Sequence, residues 1–509
     1  MNGSKWVAPG AIVFLILWVA FLAAGRTGFF QDPGTFWHTV VGERILAVGF
    51  FDTDPFTFTF AGSHWIPHQW LGEISMALAH RLAGLDTLLL ATATILAATF
   101  AWPASRLVQT GLHPIAAGLF LFAAVAAGSS HFHVRPHLAT ISGLLVTMML
   151  LTDLDAGRLH WRGLFWLVPV YLVWSNCHGG MLGGLVTMAL AASGWTLAWA
   201  IGWPSPVKAW RHVGILALLG FACASTAFLN PYGLDLPRTW FAIMDSPALP
   251  LIIQEHSRLD PADPLAWPVI AFTALYLFVL AGTLGSKPQV TWLLPLFWMV
   301  QSYGRVRHAP LFAVSGLVAI AAMWPHTRWA AWLAKHRPDF QTPLEREGPP
   351  PTRWRANLAL PTLVVAIALG IQAAKLPVPL VGAGWVVLDG KKWPGEMLAT
   401  LKEHEPRSMT RNRLFNDYID GGYVIYHAPG YRVFVDDRCE LFGDQWLIEF
   451  LLAAESDTAA AMQKWQERYG QFDFALTRIG SGFEDYFAAN PKEWTCVSRG
   501  KVAAFYVRK

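Results

Sequence analysis

The stretch "FFQDPGTFWHTVVGERILAVGFFDTDPFTFTFAGSHWIPHQWLGE" (residues 29–73) holds three aspartates, three histidines and three tryptophans, yet it is wedged between apolar runs at 8–26 and 86–104. The flanks set the frame. Of 509 residues, 54% are hydrophobic, only 14% are charged and 26 are tryptophan, with a mean hydropathy of +0.37. That is too apolar for a soluble globular chain. Further apolar runs near 113–130, 138–152, 163–177, 181–201, 212–229, 266–284, 289–303, 309–325 and 357–376 approach the roughly 20 residues that a helix needs to cross hydrocarbon. Together they predict a polytopic α-helical membrane protein of about eleven spans. The first run ends in "FLAAGRTG", like a secretory signal, but it exceeds the roughly 7–15 apolar residues of such a signal and reads as an uncleaved anchor.

Lysine and arginine orient the chain. With the N-terminus in the cytoplasm, the inside segments hold Lys5, Arg106, Arg158, Arg162, Lys208, Arg211, Lys287 and the basic stretch 326–356. The 29–73 stretch, "SSHFHVRPH" (129–137), "WSNCHGG" (174–180), "LNPYG" (229–233) and "GRVRH" (304–308) then fall together on the external side. Polar groups at span ends on one side predict a shared site. The net charge of +4 follows from this topology and gives no argument for nucleic acid.

The composition changes after Lys375. The membrane domain is expected over 1–379, with a structured first external loop at 27–85 and a Pro-rich cytoplasmic linker at 326–356. Residues 380–509 read as a soluble α/β domain. Its strands are expected at 413–416, 431–437, 472–478 and 502–508, and its helices near 394–404, 444–455 and 457–469. An odd span count places this domain outside the membrane, where Cys439 and Cys496 could pair. In the first loop, Phe36, Val40, Val41, Ile45 and Val48 recur at helical spacing, and Trp37 suits a helix lying on the membrane surface. "DTDPFTFTFAG" alternates and turns.

Asp32 closely following the first span, the surface helix after it and the large structured loop resemble the GT-C superfamily of membrane glycosyltransferases. The strings "QDPGTFWHTVVGERIL", "DTDPFTFT", "HWIPHQWLGE", "WSNCHGG", "LNPYG", "RVRH" and "FNDYIDGGYVIY…VFVDDR" also resemble an allied, largely uncharacterised bacterial group. The resemblance implies an enzyme of the bacterial cytoplasmic membrane that transfers sugar from a polyprenyl-phosphate donor at the external face. It assigns Asp32 to the reaction centre, although Asp32-Pro33 stands where several GT-C families have Asp-Glu. It names no acceptor. A lipid-linked sugar flippase and a non-catalytic subunit of an envelope polysaccharide system are the competing readings. The flippase would need charge at mid-span depth, and the apolar runs hold almost none.

Glycosyl transfer needs a base for the acceptor proton and positive charge for the departing phosphate. Asp32 is the expected base or metal ligand, with Asp54 and Glu73 as secondary carboxylates. Arg135, Arg305 and Arg307 suit phosphate oxygens, and Asn176, His178 and His308 are expected to contact substrate. A divalent ion held by Asp32, Asp54 or Glu73 could assist. Each has a structural alternative. Asp32 can cap the helix near Thr35, Asp54 can hold a turn before Pro55, and Asn176 and His178 can bridge helices. The arginines can contact headgroups, and the "VDDR" run (435–438) can form a salt bridge within its own domain. His64, His68, His131, His133, His137 and His178 match no standard metal spacing, so loop hydrogen bonding competes with ligation.

Overall fold

A computed structural model describes residues 9–252, 254–340, 354–408 and 410–509. Each of the eleven apolar runs contains a helix, from Pro9–Gly28 through Trp354–Ala373. Eight of them, counted with flanking 3-10 turns, are long and apolar enough to cross a membrane, among the described residues. The other three are shorter, so length and composition alone do not fix the number of crossings. Val290–Gly304 falls short: its 15 residues rise about 22 Å, less than a hydrocarbon core of about 30 Å. Lys5 and residues 341–353 of the expected linker lie outside the described residues, while Arg328–His336 of that linker is a helix.

Exposure separates lipid-facing from central helices. Along Pro114–Gly128, Ile115, Leu119 and Phe122 stand one turn apart and are exposed, an apolar stripe suited to lipid. Ala309–Met323 is buried almost all round, because residues as small as Ala313, Ser315 and Gly316 let neighbours close in. A Cβ on Gly316 would stand 2.8 Å from the Phe272 ring. At the end of Leu85–Gln109 remote from the first loop, Arg106 grips Asp153 through two bonds of 2.5 and 2.7 Å, joined by Arg158 at 2.9 Å.

The C-terminal residues form a mixed sheet. Strands β1 (Arg413–Asn416), β2 (Arg432–Val433), β3 (Phe474–Arg478), β4 (Trp494–Arg499) and β5 (Ala503–Arg508) lie in the order β2-β1-β3-β5-β4. β1 runs parallel to β2 and β3, and β5 antiparallel to β3 and β4. Four of the five match the expected runs, the second shortened. β4 carries no apolar alternation, since most of its side chains are exposed, and so left no period-2 signal. Cys439 and Cys496 remain thiols, one buried at the start of the Cys439–Phe442 helix and one exposed on β4 at the far edge of the sheet.

The first loop is wedged between bundle and sheet. Trp37, expected at the interface, is 2% exposed and shares a core with Val41, Ile45, Phe415 and Phe434. Phe36 packs edge-on against Trp393 and Tyr423. The contact depends on Gly422, where a Cβ would meet the Pro33 carbonyl at 2.5 Å. "DPFTF" then joins the sheet beside β2, with Phe58 N–H donating to the Val433 carbonyl at 3.1 Å and Val433 N–H to Phe56 at 3.2 Å. The edge strand is thereby paired rather than open.

Candidate active site

A cavity of about 570 Å³ opens where the bundle, the first loop and the sheet domain meet. Arg135, Arg305 and Arg307 line it together with His178 and His308, so five of the nine expected site residues share one space. Asp32, Asp54, Glu73 and Asn176 are absent from its wall.

Each of those four is engaged elsewhere. Asp32 stands one step behind the wall. Its Oδ1 accepts from Gly34 N–H at 2.7 Å, at the start of the Gly34–Val48 helix, and its Oδ2 accepts from Arg135 Nη1 at 2.9 Å. Burial works against the Arg135 charge, but Asp32 and Glu255 more than offset it, so the guanidinium is both charged and fixed in orientation. Asp54 accepts from Phe56 N–H, Thr57 N–H and Thr57 Oγ1, and its Oδ1 also accepts from Arg438 Nη2 at 2.7 Å. Arg438 donates as well to both oxygens of Asp436, and all three side chains are wholly buried. The "VDDR" salt bridge is thus half internal to its domain and half a tie to the first loop. Asn176 accepts from Trp70 Nε1 at 2.7 Å and donates to the Leu172 and Leu229 carbonyls, bridging three segments.

Glu73 contacts His38 Nδ1 at 2.8 Å with neither side chain exposed. The distance would suit an ion pair, but burial pushes the Glu73 carboxyl well up and the His38 ring well down. Burial thus disfavours charge on either partner.

On the cavity wall, His178 Nδ1 accepts from Gly180 N–H at 3.0 Å and meets Thr140 Oγ1 at 2.8 Å, leaving its Nε2 edge available. Arg307 donates to His256 Nε2. Burial first, and Arg307 next, push the His256 ring down to about 3, which keeps it a neutral acceptor.

Behind His131, which lines the cavity, His131, His133 and Glu255 bring one ligating atom each within 4.8 Å of one another. Glu255 Oε1 lies 3.2 Å from His131 Nδ1 and 3.6 Å from His133 Nε2. Burial would raise the Glu255 carboxyl, but His131, Arg135 and His133 hold it well below the ordinary range. Burial pushes His133 down to about 4, against the pull of Asp32. Two imidazoles and a carboxylate suit a borderline divalent ion such as zinc, with coordination positions left open. Glu255 and His256 were not singled out in the sequence. The available signal was their polar pair, "QEH" (254–256), between apolar runs on the side predicted to carry the site. Asp437 and Glu440, which also line the cavity, were hidden inside an expected salt-bridge run and its continuation.

This architecture, a helical bundle with a structured first loop under a C-terminal domain, has solved counterparts. The archaeal oligosaccharyltransferase AglB from Archaeoglobus fulgidus, solved with an inhibitory peptide and a dolichol-phosphate, superposes with a TM-score of 0.54 at 14% identity, over 98% of this chain and 74% of that one. The chain shares the GT-C fold. A second Archaeoglobus fulgidus oligosaccharyltransferase structure, tethered to an acceptor peptide, also gives a TM-score of 0.54, over 92% of this chain and 69% of that one. A third, with zinc and sulfate, gives 0.50 over 92% and 68%; both are 14% identical to this chain. No protein-family model and no curated protein matches the sequence. At this identity the likeness defines the GT-C fold, and chemistry has to be argued from the cavity itself.

Proposed function

We propose that this protein is a glycosyltransferase that moves a sugar from a polyprenyl-phosphate donor to an acceptor, in the cavity between bundle and C-terminal domain. One observation carries the reading: Arg135, Arg305 and Arg307, distant in sequence, converge on one cavity. Arg135 is already held by Asp32, while Arg305 and Arg307 form no ion pair among the described residues, so the pair suits an anion, and a lipid phosphate reaches a cavity beside the bundle directly. The dolichol-phosphate bound by AglB supports this donor class. The enzyme is placed in the bacterial cytoplasmic membrane with residues 380–509 external, as the lysine and arginine distribution suggests. In this scheme Arg305 and Arg307 clamp the donor phosphate, Arg135 is aimed by Asp32, and His178 and His308 contact substrate.

The His131, His133 and Glu255 cluster is the set that would hold a divalent ion, and an ion there would act as a Lewis acid toward phosphate oxygens. The zinc in one Archaeoglobus fulgidus oligosaccharyltransferase structure is compatible with this. Elemental analysis of purified protein is expected to find bound zinc or manganese in wild type, and none after His131→Ala with His133→Ala. Equal metal content in the two proteins would remove the site.

The direct test of function is binding of undecaprenyl phosphate to the purified protein, followed by release of that lipid from an undecaprenyl-phosphate-linked hexose. Asp32→Asn sharpens the assignment. Asparagine keeps the contact to Gly34 N–H but removes the charge that holds Arg135. We expect lipid-phosphate affinity and turnover to fall together, by at least ~10-fold each, as for loss of one charge-assisted contact. A fall in turnover alone would return Asp32 to the role of base.

A further inference from the structure

We infer that Asp437, supplied by the C-terminal domain, is the general base that takes the proton from the acceptor hydroxyl. The inference rests on the transferase reading and asks which carboxylate of that cavity is free to act. Asp32 has both oxygens engaged and does not reach the wall. Asp54 is spent on Arg438 and the turn at 56–57. Glu255 faces His131 and His133. Glu440 lines the cavity, but its Oε1 accepts from Trp65 Nε1 at 2.8 Å. Asp437 lines the same cavity, and its Oδ1 is shielded from solvent with no hydrogen-bond partner among the described residues. A buried carboxylate oxygen without a donor is costly, and it persists where a ligand supplies the donor.

The flanking residues explain its direction. Asp436 and Arg438 both point into the buried pair with Asp54. The chain bends at Asp437, and the intervening side chain lines the cavity instead. The segment is pinned on both sides, so Asp437 is held without using its own carboxylate. Burial and the Asp32 charge push its carboxyl well above the ordinary range, partly opposed by Arg135.

In the step, the acceptor oxygen bonds to the anomeric carbon as the bond from that carbon to the phosphate oxygen breaks. The electron pair leaves on the polyprenyl phosphate at the arginines. The hydroxyl proton passes to Asp437.

The experiment uses full-length protein in lipid nanodiscs, with undecaprenyl phosphate for binding and an undecaprenyl-phosphate-linked hexose for turnover, water serving as acceptor. Asp437→Asn is expected to lower turnover by at least ~10²-fold, the low end for a positioned base, with lipid-phosphate affinity and melting temperature unchanged. Asp437→Glu should recover part of the rate, because it restores a carboxylate. If the asparagine variant melts early, Asp437→Ser carries the same expectation. Turnover at the wild-type rate would overturn the proposal. So would a loss of lipid-phosphate affinity that accounts for the lost rate, since Asp437 would then be positioning Arg135. Wild type that binds the lipid phosphate but releases no sugar would sink the transferase reading itself, and the base with it, and it does so without reference to any variant.

Discussion

Arg438→Gln is expected to destabilise the protein by about 3–5 kcal/mol, the cost of removing one partner from a buried ion pair. The substitution leaves Asp54 and Asp436, both wholly buried, without the cation that compensates them. It also empties the slot over the Trp65 ring, where the guanidinium carbon sits 4.5 Å from the centroid. Because Asp54 belongs to the first loop and Asp436 to the sheet domain, the damage should be felt at their junction. Limited proteolysis should release C-terminal fragments sooner than in wild type, and the melting temperature should drop by several degrees. An unchanged melt and cleavage pattern would mean that the triad is not what joins loop and domain. Asp54→Asn should also destabilise. Any activity it loses should therefore track folded fraction rather than chemistry.

Replacing Arg305 and Arg307 together with glutamine should weaken undecaprenyl phosphate binding by at least ~10²-fold. Each charge-assisted hydrogen bond contributes about 1.5–3 kcal/mol, and 1.4 kcal/mol is tenfold in affinity. Lysine at both positions should recover only part, because it supplies charge without the planar two-pronged geometry. Arg307 also donates to His256, so the single Arg305→Gln variant is the cleaner probe if the double variant melts early. Full affinity in a folded double variant would reassign the pair to headgroup contact at the membrane surface.

The apolar runs alone located every long helix of the bundle, because hydrocarbon demands a length and composition that few other structures share. They did not give the number of crossings, since a helix as short as Val290–Gly304 carries the same apolar signal as a full span. Short runs of β-type residues marked four strands and missed β4, whose outer side chains are solvated. The polar span ends at 129–137, 174–180 and 304–308 were legible as one site, and residues from all three line the cavity.

Which carboxylate faces that cavity was not legible. Asp32, Asp54 and Asp437 look equivalent along the chain, each beside a proline, an arginine or a second acid. Their roles are set by partners far away: Arg135 is 103 residues from Asp32, and Arg438 is 384 residues from Asp54. Ion pairs of that kind form only when the first loop is clamped between bundle and sheet. Hydrophobic periodicity is a local property of a chain and can be read from it, whereas the use of a charge depends on which other charge the fold brings within about 3 Å.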